Sequence, residues 1–181
     1  MDNTPFQSLR VVVVNGHPES GKTTFEKICK EIMGAQFCQI CSTIDIIKEI
    51  ATIGRWDGSK DPRSRKFLSD LKDLFTEYND APLHSIEDAI NNFEYDLKTY
   101  DVDDFAHVLF VDCREPKEIE KLKQKFNAIT LLIRRPTTKN EFSNHADAEV
   151  ENYNYDCIID NDGSLEELKN KAEGFLDLIF S

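Results

Sequence analysis

The sequence is poor in positive charge. In 181 residues, 22 Lys and Arg stand against 34 Asp and Glu, a formal net charge of −12. A dedicated nucleic-acid binder presents a basic surface to the phosphates, so no nucleic-acid partner is expected. Nucleotide binding stays open, because a local nest of amides with a few Lys or Arg overcomes a distant negative field. Long apolar runs are also missing. None approaches the ~20 residues that cross a bilayer, and the first ten residues, MDNTPFQSLR, hold no apolar segment of the secretory kind. The expectation is therefore no membrane partner and a cytoplasmic location. Cysteine is scarce and odd in number: Cys29, Cys38, Cys41, Cys113 and Cys157. That set argues for reduced thiols rather than a disulfide framework. Cys38 and Cys41 make a C-x-x-C without the second pair that a zinc site requires. Their segment, AQFCQIC, reads as a strand, where positions three apart face opposite sides. His84, His107 and His145 show no metal spacing either. Glycine is sparse as well, and two of the seven fall in one motif.

What the chain does have is alternation of strands and helices. Leu9–Val14 (LRVVVV) is a β-branched run without polar alternation, the pattern of a central parallel strand covered on both faces. A helix is expected from about Gly21 to Met33, a strand over Gln36–Cys41, and helices over Thr43–Ile53 and Arg63–Tyr78. Gly54–Pro62 reads as a loop. Ser85 with Asp88 resembles a capping box that opens a further helix to about Tyr100. His107–Asp112 and Ile129–Ile133 read as buried strands around a charged helix, Pro116–Phe126. Thr137–Tyr153 is polar and weakly patterned, Cys157–Asp160 is a short strand, and Ser164 with Glu167 caps a final helix to Phe180. The expected fold is three-layer α/β with a five-stranded parallel sheet and right-handed crossovers, in one domain over residues 1–181.

The chemistry sits between the first strand and the first helix. Gly16-His17-Pro18-Glu19-Ser20-Gly21-Lys22-Thr23 matches G-x-x-x-x-G-K-[ST] in full. Gly16 and Gly21 permit backbone conformations that aim consecutive N–H groups inward. The helix N-terminus adds partial positive charge. Lys22 is placed to reach the β- and γ-phosphates, and the Thr23 hydroxyl to ligate Mg²⁺. Gly16 to Thr24 are thus the expected ATP contacts, with ATP and Mg²⁺ as cofactors. The bland alternative is a glycine turn that binds nothing. A GTPase is disfavoured by the lack of an N-K-x-D base reader. A motor or AAA-type ATPase is disfavoured by length and by a strand that ends in a single acid, Asp112. Helical and polar inserts suit a small kinase that closes over two substrates to exclude water.

Ordered features along the chain carry a resemblance. Ser20-Gly21-Lys22 is followed by Ser42 and Lys48 in CSTIDIIK. A strand then ends in Asp112-x-Arg114, with Glu118 in the next helix. Another strand ends in Arg134-Arg135-Pro136, and the last runs into Asn161-Asp162-Gly163-Ser164-Leu165-Glu166-Glu167-Leu168. The chain resembles the phage-type deoxynucleoside monophosphate kinases and the related animal-type phosphomevalonate kinases. Thr23 stands where those families often carry Asp, and Gly54–Asp104 has no clear counterpart. The resemblance implies a P-loop kinase with an acceptor-binding insert at about 42–104 and a lid at about 135–156.

On that basis Asp112 is a candidate to hold Mg²⁺ water and Arg114 to clamp a phosphate; the alternative is a surface salt bridge. Arg134 and Arg135 are candidates to cover the adenine and to stabilise the transferring phosphoryl; otherwise they are two solvated arginines. Asn161 and Gly163 lie beside the adenine or form a capping turn. Lys48, Arg55, Arg63 and Arg65, with Lys60, concentrate positive charge after the second strand, where nucleotide-type kinases bind their acceptor. Lys48 and Ser42 also match the family pattern. Trp56 is an acceptor-pocket aromatic or a hydrophobic anchor. The expected activity is ATP-dependent phosphoryl transfer to a nucleoside or deoxynucleoside monophosphate. The alternatives are a kinase for a small phosphorylated metabolite and a nucleotide-binding regulator that transfers nothing.

Overall fold

The computed structural model describes residues 9–102, 105–135 and 150–181. In chain order these form β1 (Leu9–Asn15), α1 (Lys22–Met33), β2 (Cys38–Ser42), α2 (Asp45–Ile53), α3 (Pro62–Asn79), α4 (Ala81–Thr99), β3 (His107–Asp112), α5 (Pro116–Phe126), β4 (Ile129–Arg134), a 3-10 turn (Val150–Asn152), β5 (Cys157–Asp160) and α6 (Leu165–Phe180). The five strands make one sheet in the order β2-β3-β1-β4-β5, every neighbouring pair parallel. The chain has the three-layer architecture of P-loop NTPases, as the strand–loop–helix pattern predicts.

The unbroken valines of β1 are explained by burial on both faces. Val11 and Val13 join Leu109, Val111 and Leu132 beneath α4 (Ile86, Ile90, Phe93) and α5 (Ile119, Leu122). Val12 and Val14 join Phe110, Leu131 and Ile133 beneath α1 (Phe25, Ile28) and α6 (Ala172, Phe175). Fully burying each such side chain contributes roughly 1.5–3 kcal/mol. Cys38 lies in the α1/α6 core, while Cys41 packs against the α4/α5 core, the opposite facing that a three-residue spacing dictates. Burial pushes both thiols up to about 12.

The structure differs from the sequence expectation at the start of α4. Ser85 and Asp88 do not cap it. The helix opens four residues earlier, at Ala81, directly after Asp80 ends α3 in a left-handed conformation (φ 54°). Pro82 fits the first turn, where its missing N–H costs nothing, and Ser85 Oγ bonds back to the Pro82 carbonyl at 2.8 Å from inside the helix. The Ser164–Glu167 capping box of α6 is present in both directions.

α3 keeps most of its length exposed, and its fully buried residue is Lys72. Lys72 Nζ meets Glu118 Oε2 of α5 at 2.5 Å, with side-chain exposures of 10% and 11%. This ion pair ties the helices between β2 and β3 to the α5 side of the sheet. Most of the expected lid, residues 136–149, lies outside the described residues. Among the described residues no helix is long and apolar enough to cross a membrane.

Candidate active site

β1 ends at the carboxyl edge of the sheet, where open α/β folds bind ligands, and the phosphate-loop motif begins there. Gly16 has φ 152°, and a Cβ at that position would collide with the Ile133 carbonyl oxygen. Gly21 has φ 99°, and its Cβ would collide with the Asn161 amide. Both glycines are therefore demanded by conformation and by close approach. Glu19, between them, is also left-handed (φ 63°), a strained state of the kind that the surrounding structure must enforce. Lys22 Nζ reaches back across the loop to the carbonyls of Gly16 (2.5 Å) and His17 (3.2 Å).

Two buried asparagines hold this loop from outside. Asn15 Oδ1 accepts from the Gly16 N–H at 2.7 Å, and Asn15 Nδ2 donates to the Arg114 carbonyl (3.2 Å) and to Tyr155 Oη (2.7 Å). Tyr155 in turn donates to the Val150 carbonyl at 2.8 Å. Asn161 donates to the Ser20 carbonyl at 2.9 Å, and its backbone N–H bonds to the Arg134 carbonyl at 2.7 Å. Sequence reasoning missed Asn15 and Tyr155. The signal for Asn15 was a polar residue closing an all-apolar strand just before the motif.

The loop opens into a cleft of about 830 Å³. Pro18 to Thr24 form one wall, and Ser42, Asp112, Arg114 and Arg135 line it as well. Lys48, Lys60, Arg65, Ser69 and Lys72 form the side facing α3. Burial raises the Asp112 carboxyl above its ordinary range, while the nearby Lys22 and Arg114 charges pull it down. Glu26, one turn into α1 from Lys22, is 1% exposed, and among the described residues neither of its carboxyl oxygens has a hydrogen-bond partner. Burial raises its pKa, the Asp112 charge adds to the rise, and Lys22 opposes it. Glu26 was also missed from sequence, where it reads as one more surface acid on a helix.

The candidates divide clearly. Thr23, Thr24, Asp112, Arg114 and Arg135 converge on the cleft. Arg134 is instead held by Asp160 in a two-pronged pair, Nε–Oδ1 2.6 Å and Nη2–Oδ2 3.1 Å. The two arginines were expected to divide adenine cover and phosphoryl stabilisation between them; as successive residues of an extended segment they point to opposite sides. His17 is buried, with Nε2 3.5 Å from Glu151 Oε1. Asn161 and Gly163 do not line the cleft: Asn161 braces the loop, and Gly163 sits against the Glu167 side chain of the capping box.

On the acceptor side, Lys48 is oriented by Asp45 at 2.9 Å, and Asp45 also accepts from the Ser42 N–H at 2.8 Å. Ser42 Oγ donates to the Asp112 carbonyl at 3.2 Å. Arg65 lines the cleft, but Arg63 does not; two residues along a helix turn the side chain through about 200°. Arg55 does not reach the cleft either, because its exposed left-handed turn (φ 66°) follows the end of α2. Trp56 also lies off the cleft, its backbone N–H bonded to the Ala51 carbonyl at 2.9 Å.

No protein-family model matches the chain, and no curated protein matches it. Solved structures similar in chain course include a sugar kinase from Janibacter sp. (TM-score 0.49, 16% identity, 93% of this chain and 95% of that one covered). A gluconokinase from Sinorhizobium meliloti has TM-score 0.49 and 13% identity, over 94% of this chain and 93% of that one. A thymidylate kinase from Ehrlichia chaffeensis has TM-score 0.45 and 12% identity, over 93% and 99%.

Proposed function

We propose that this chain is an ATP-dependent phosphotransferase that moves the γ-phosphoryl group of Mg·ATP to a small phosphorylated acceptor, in the manner of nucleotide-type kinases. The observation that carries the reading is the complete phosphate loop at the carboxyl edge of a parallel sheet, with Lys22, Asp112, Arg114 and Arg135 turned into one cleft. The donor set fits the cofactor: inward loop amides and the start of α1 suit phosphate oxygens, and the Thr23 hydroxyl with the Asp112 carboxyl suits a hard divalent cation. When bound there, Mg²⁺ neutralises part of the triphosphate charge.

Each remaining role belongs to the chain. The loop amides fix the β- and γ-phosphates in place. Lys22 exchanges its loop carbonyls for phosphate oxygens and offsets the charge that develops between the β- and γ-positions. Arg114 and Arg135 flank the transferring group. Transfer breaks the bond from γ-phosphorus to the β,γ-bridging oxygen, forms a bond to an oxygen of the acceptor's phosphate, and releases ADP. An ionised phosphate oxygen carries no proton, so the chain needs to supply positioning and charge rather than a strong base. This agrees with a described cleft wall that contains no histidine.

Calorimetry with ATP, GTP and dNTPs in the presence of Mg²⁺ tests the donor site; absence of all binding refutes the reading. Lys22→Ala is expected to abolish acceptor-dependent ADP formation. Nucleotide binding without any acceptor-dependent ADP release would instead identify a nucleotide-binding regulator.

A further inference from the structure

α3 is an amphipathic helix that leaves its apolar residues unburied. Over 18 residues it carries Phe67, Leu68, Leu71, Leu74, Phe75 and Tyr78, yet its one buried side chain is Lys72. The helix has two distinct sides. Arg65, Leu68, Ser69 and Lys72 line the cleft. Phe67, Leu71, Leu74 and Tyr78 recur at i, i+4, i+7 and i+11, which makes a second stripe. At roughly 100° per residue, the two stripes lie about 140° apart around the helix axis. In the second stripe Phe67, Leu74 and Tyr78 are 44%, 61% and 81% exposed. A helix in a globular protein owes most of its stability to a buried apolar face, and a contiguous exposed one marks an interaction surface.

The charges beside this stripe identify what covers it. Along one rim run Arg63, Lys66, Asp70, Asp73 and Glu77, spaced i, i+3, i+7, i+10 and i+14 and all exposed. The first two are basic and the last three acidic. The rim is therefore positive toward the start of α3 and negative toward its end. Two copies of the helix laid antiparallel about a two-fold axis keep this rim on the same side of the pair, running in opposite directions. With the axis at Leu71, Phe67 of one copy meets Leu74 of the other, and the two Leu71 side chains meet each other. Arg63 then lies beside Glu77 of the second copy, and Lys66 lies between its Asp73 and Glu77. Asp70, close to the axis, is already matched within its own chain by Lys66 at 2.6 Å. Parallel pairing would instead set like charges against each other at both ends.

We propose that α3 pairs antiparallel with α3 of a second copy of this chain, in an isologous dimer whose two clefts face away from the contact. The face is apolar along its centre and self-complementary in charge along its rim, and both properties suit a copy of itself. One helix of about 27 Å per copy makes a contact at the small end of the stable range. The dimer is accordingly reversible, with a micromolar Kd. The assignment does not depend on the phosphotransferase reading.

Sedimentation velocity on the full chain, from about 1 to 500 μM, is the test. The wild type is expected to pass from 20.8 kDa to twice that mass as concentration rises. Leu74→Glu and Tyr78→Glu, both at well-exposed positions, are each expected to leave only monomer, with circular dichroism reporting an unchanged fold. The rim is tested by charge reversal. Arg63→Glu/Lys66→Glu makes it wholly acidic, and Asp70→Lys/Asp73→Lys/Glu77→Lys makes it wholly basic. Each is expected to raise Kd roughly tenfold or more, because like charges then face each other. Net charge alone would instead tighten the dimer of the lysine variant, which reduces the chain's excess of acid. The chain carrying all five reversals regains complementarity and is expected to dimerise as the wild type does. A wild type that stays monomeric throughout overturns the inference and leaves the stripe to a different protein. It is equally overturned if Leu74→Glu and Tyr78→Glu dimerise as well as the wild type, if neither partial reversal weakens the dimer, or if the five reversals together fail to restore it.

Discussion

Replacing Lys72 by Met tests how the α3 wall of the cleft is held. The Lys72–Glu118 pair is 2.5 Å long, with side-chain exposures of 10% and 11%, so water screens it little. Without the ammonium, the donors left to Glu118 among the described residues are weak, Cys113 Sγ at 3.4 Å and Thr76 Oγ1 at 3.5 Å. Removing one partner of a buried pair costs about 3–5 kcal/mol, because a charge is left desolvated and unmatched. That is a large share of the roughly 5–15 kcal/mol that stabilises a typical domain. For a chain of this length it corresponds to a fall in Tm of roughly 6–20 °C. The double variant Lys72→Met/Glu118→Leu replaces the pair by apolar groups and is expected to recover most of the loss. Urea unfolding followed by circular dichroism reads both. The reasoning is refuted if Lys72→Met costs less than about 1 kcal/mol, the value of an exposed pair, or if the double variant is no more stable than the single one.

Arg135→Ala is expected to lower kcat roughly tenfold or more with little change in nucleotide binding, whereas Arg134→Ala leaves kcat near wild type. The latter costs little stability, because the Arg134–Asp160 pair is 42% exposed on each side and screened by water; steady-state kinetics with equal effects from both variants would refute the division. Glu26 predicts a pH dependence in the metal-free, nucleotide-free protein. Burial and the Asp112 charge raise its pKa in the folded state, so above the ordinary carboxylate range the folded chain keeps a proton that the unfolded chain has released. Stability from this group is then full at low pH and declines as pH rises, by about 1.4 kcal/mol per unit across the window. Thermal unfolding in EDTA between pH 5 and 8 is expected to show a downward trend that Glu26→Gln flattens; parallel wild-type and variant profiles would contradict this.

Much of this protein was determined locally, and so was legible. The valine run of β1, the phosphate loop and the Ser164–Glu167 box each depend on residues within a few positions of one another. The chemistry of Gly16 and Gly21 follows from φ angles that other residues avoid. The two-faced burial of Cys38 and Cys41 follows from strand geometry alone. The start of α4 was misread because a serine–acid spacing is common, and Pro82 with the turn at Asp80 took precedence. What needed the tertiary structure were relations between distant segments. Asn15 and Asn161 are ordinary polar residues until Gly16, Arg114, Tyr155 and Ser20 are brought to them. Lys72 looks like helix-surface charge until α5 places Glu118 against it. Of the five cations in Lys48–Arg65, three reach the cleft and two turn away. Helix phase and the α2–α3 turn decide which, and phase relative to the rest of the molecule is written in no single segment. Glu26 shows the same limit. Its position in α1 is a matter of sequence, but its raised pKa comes from burial and from Asp112, at the end of distant β3.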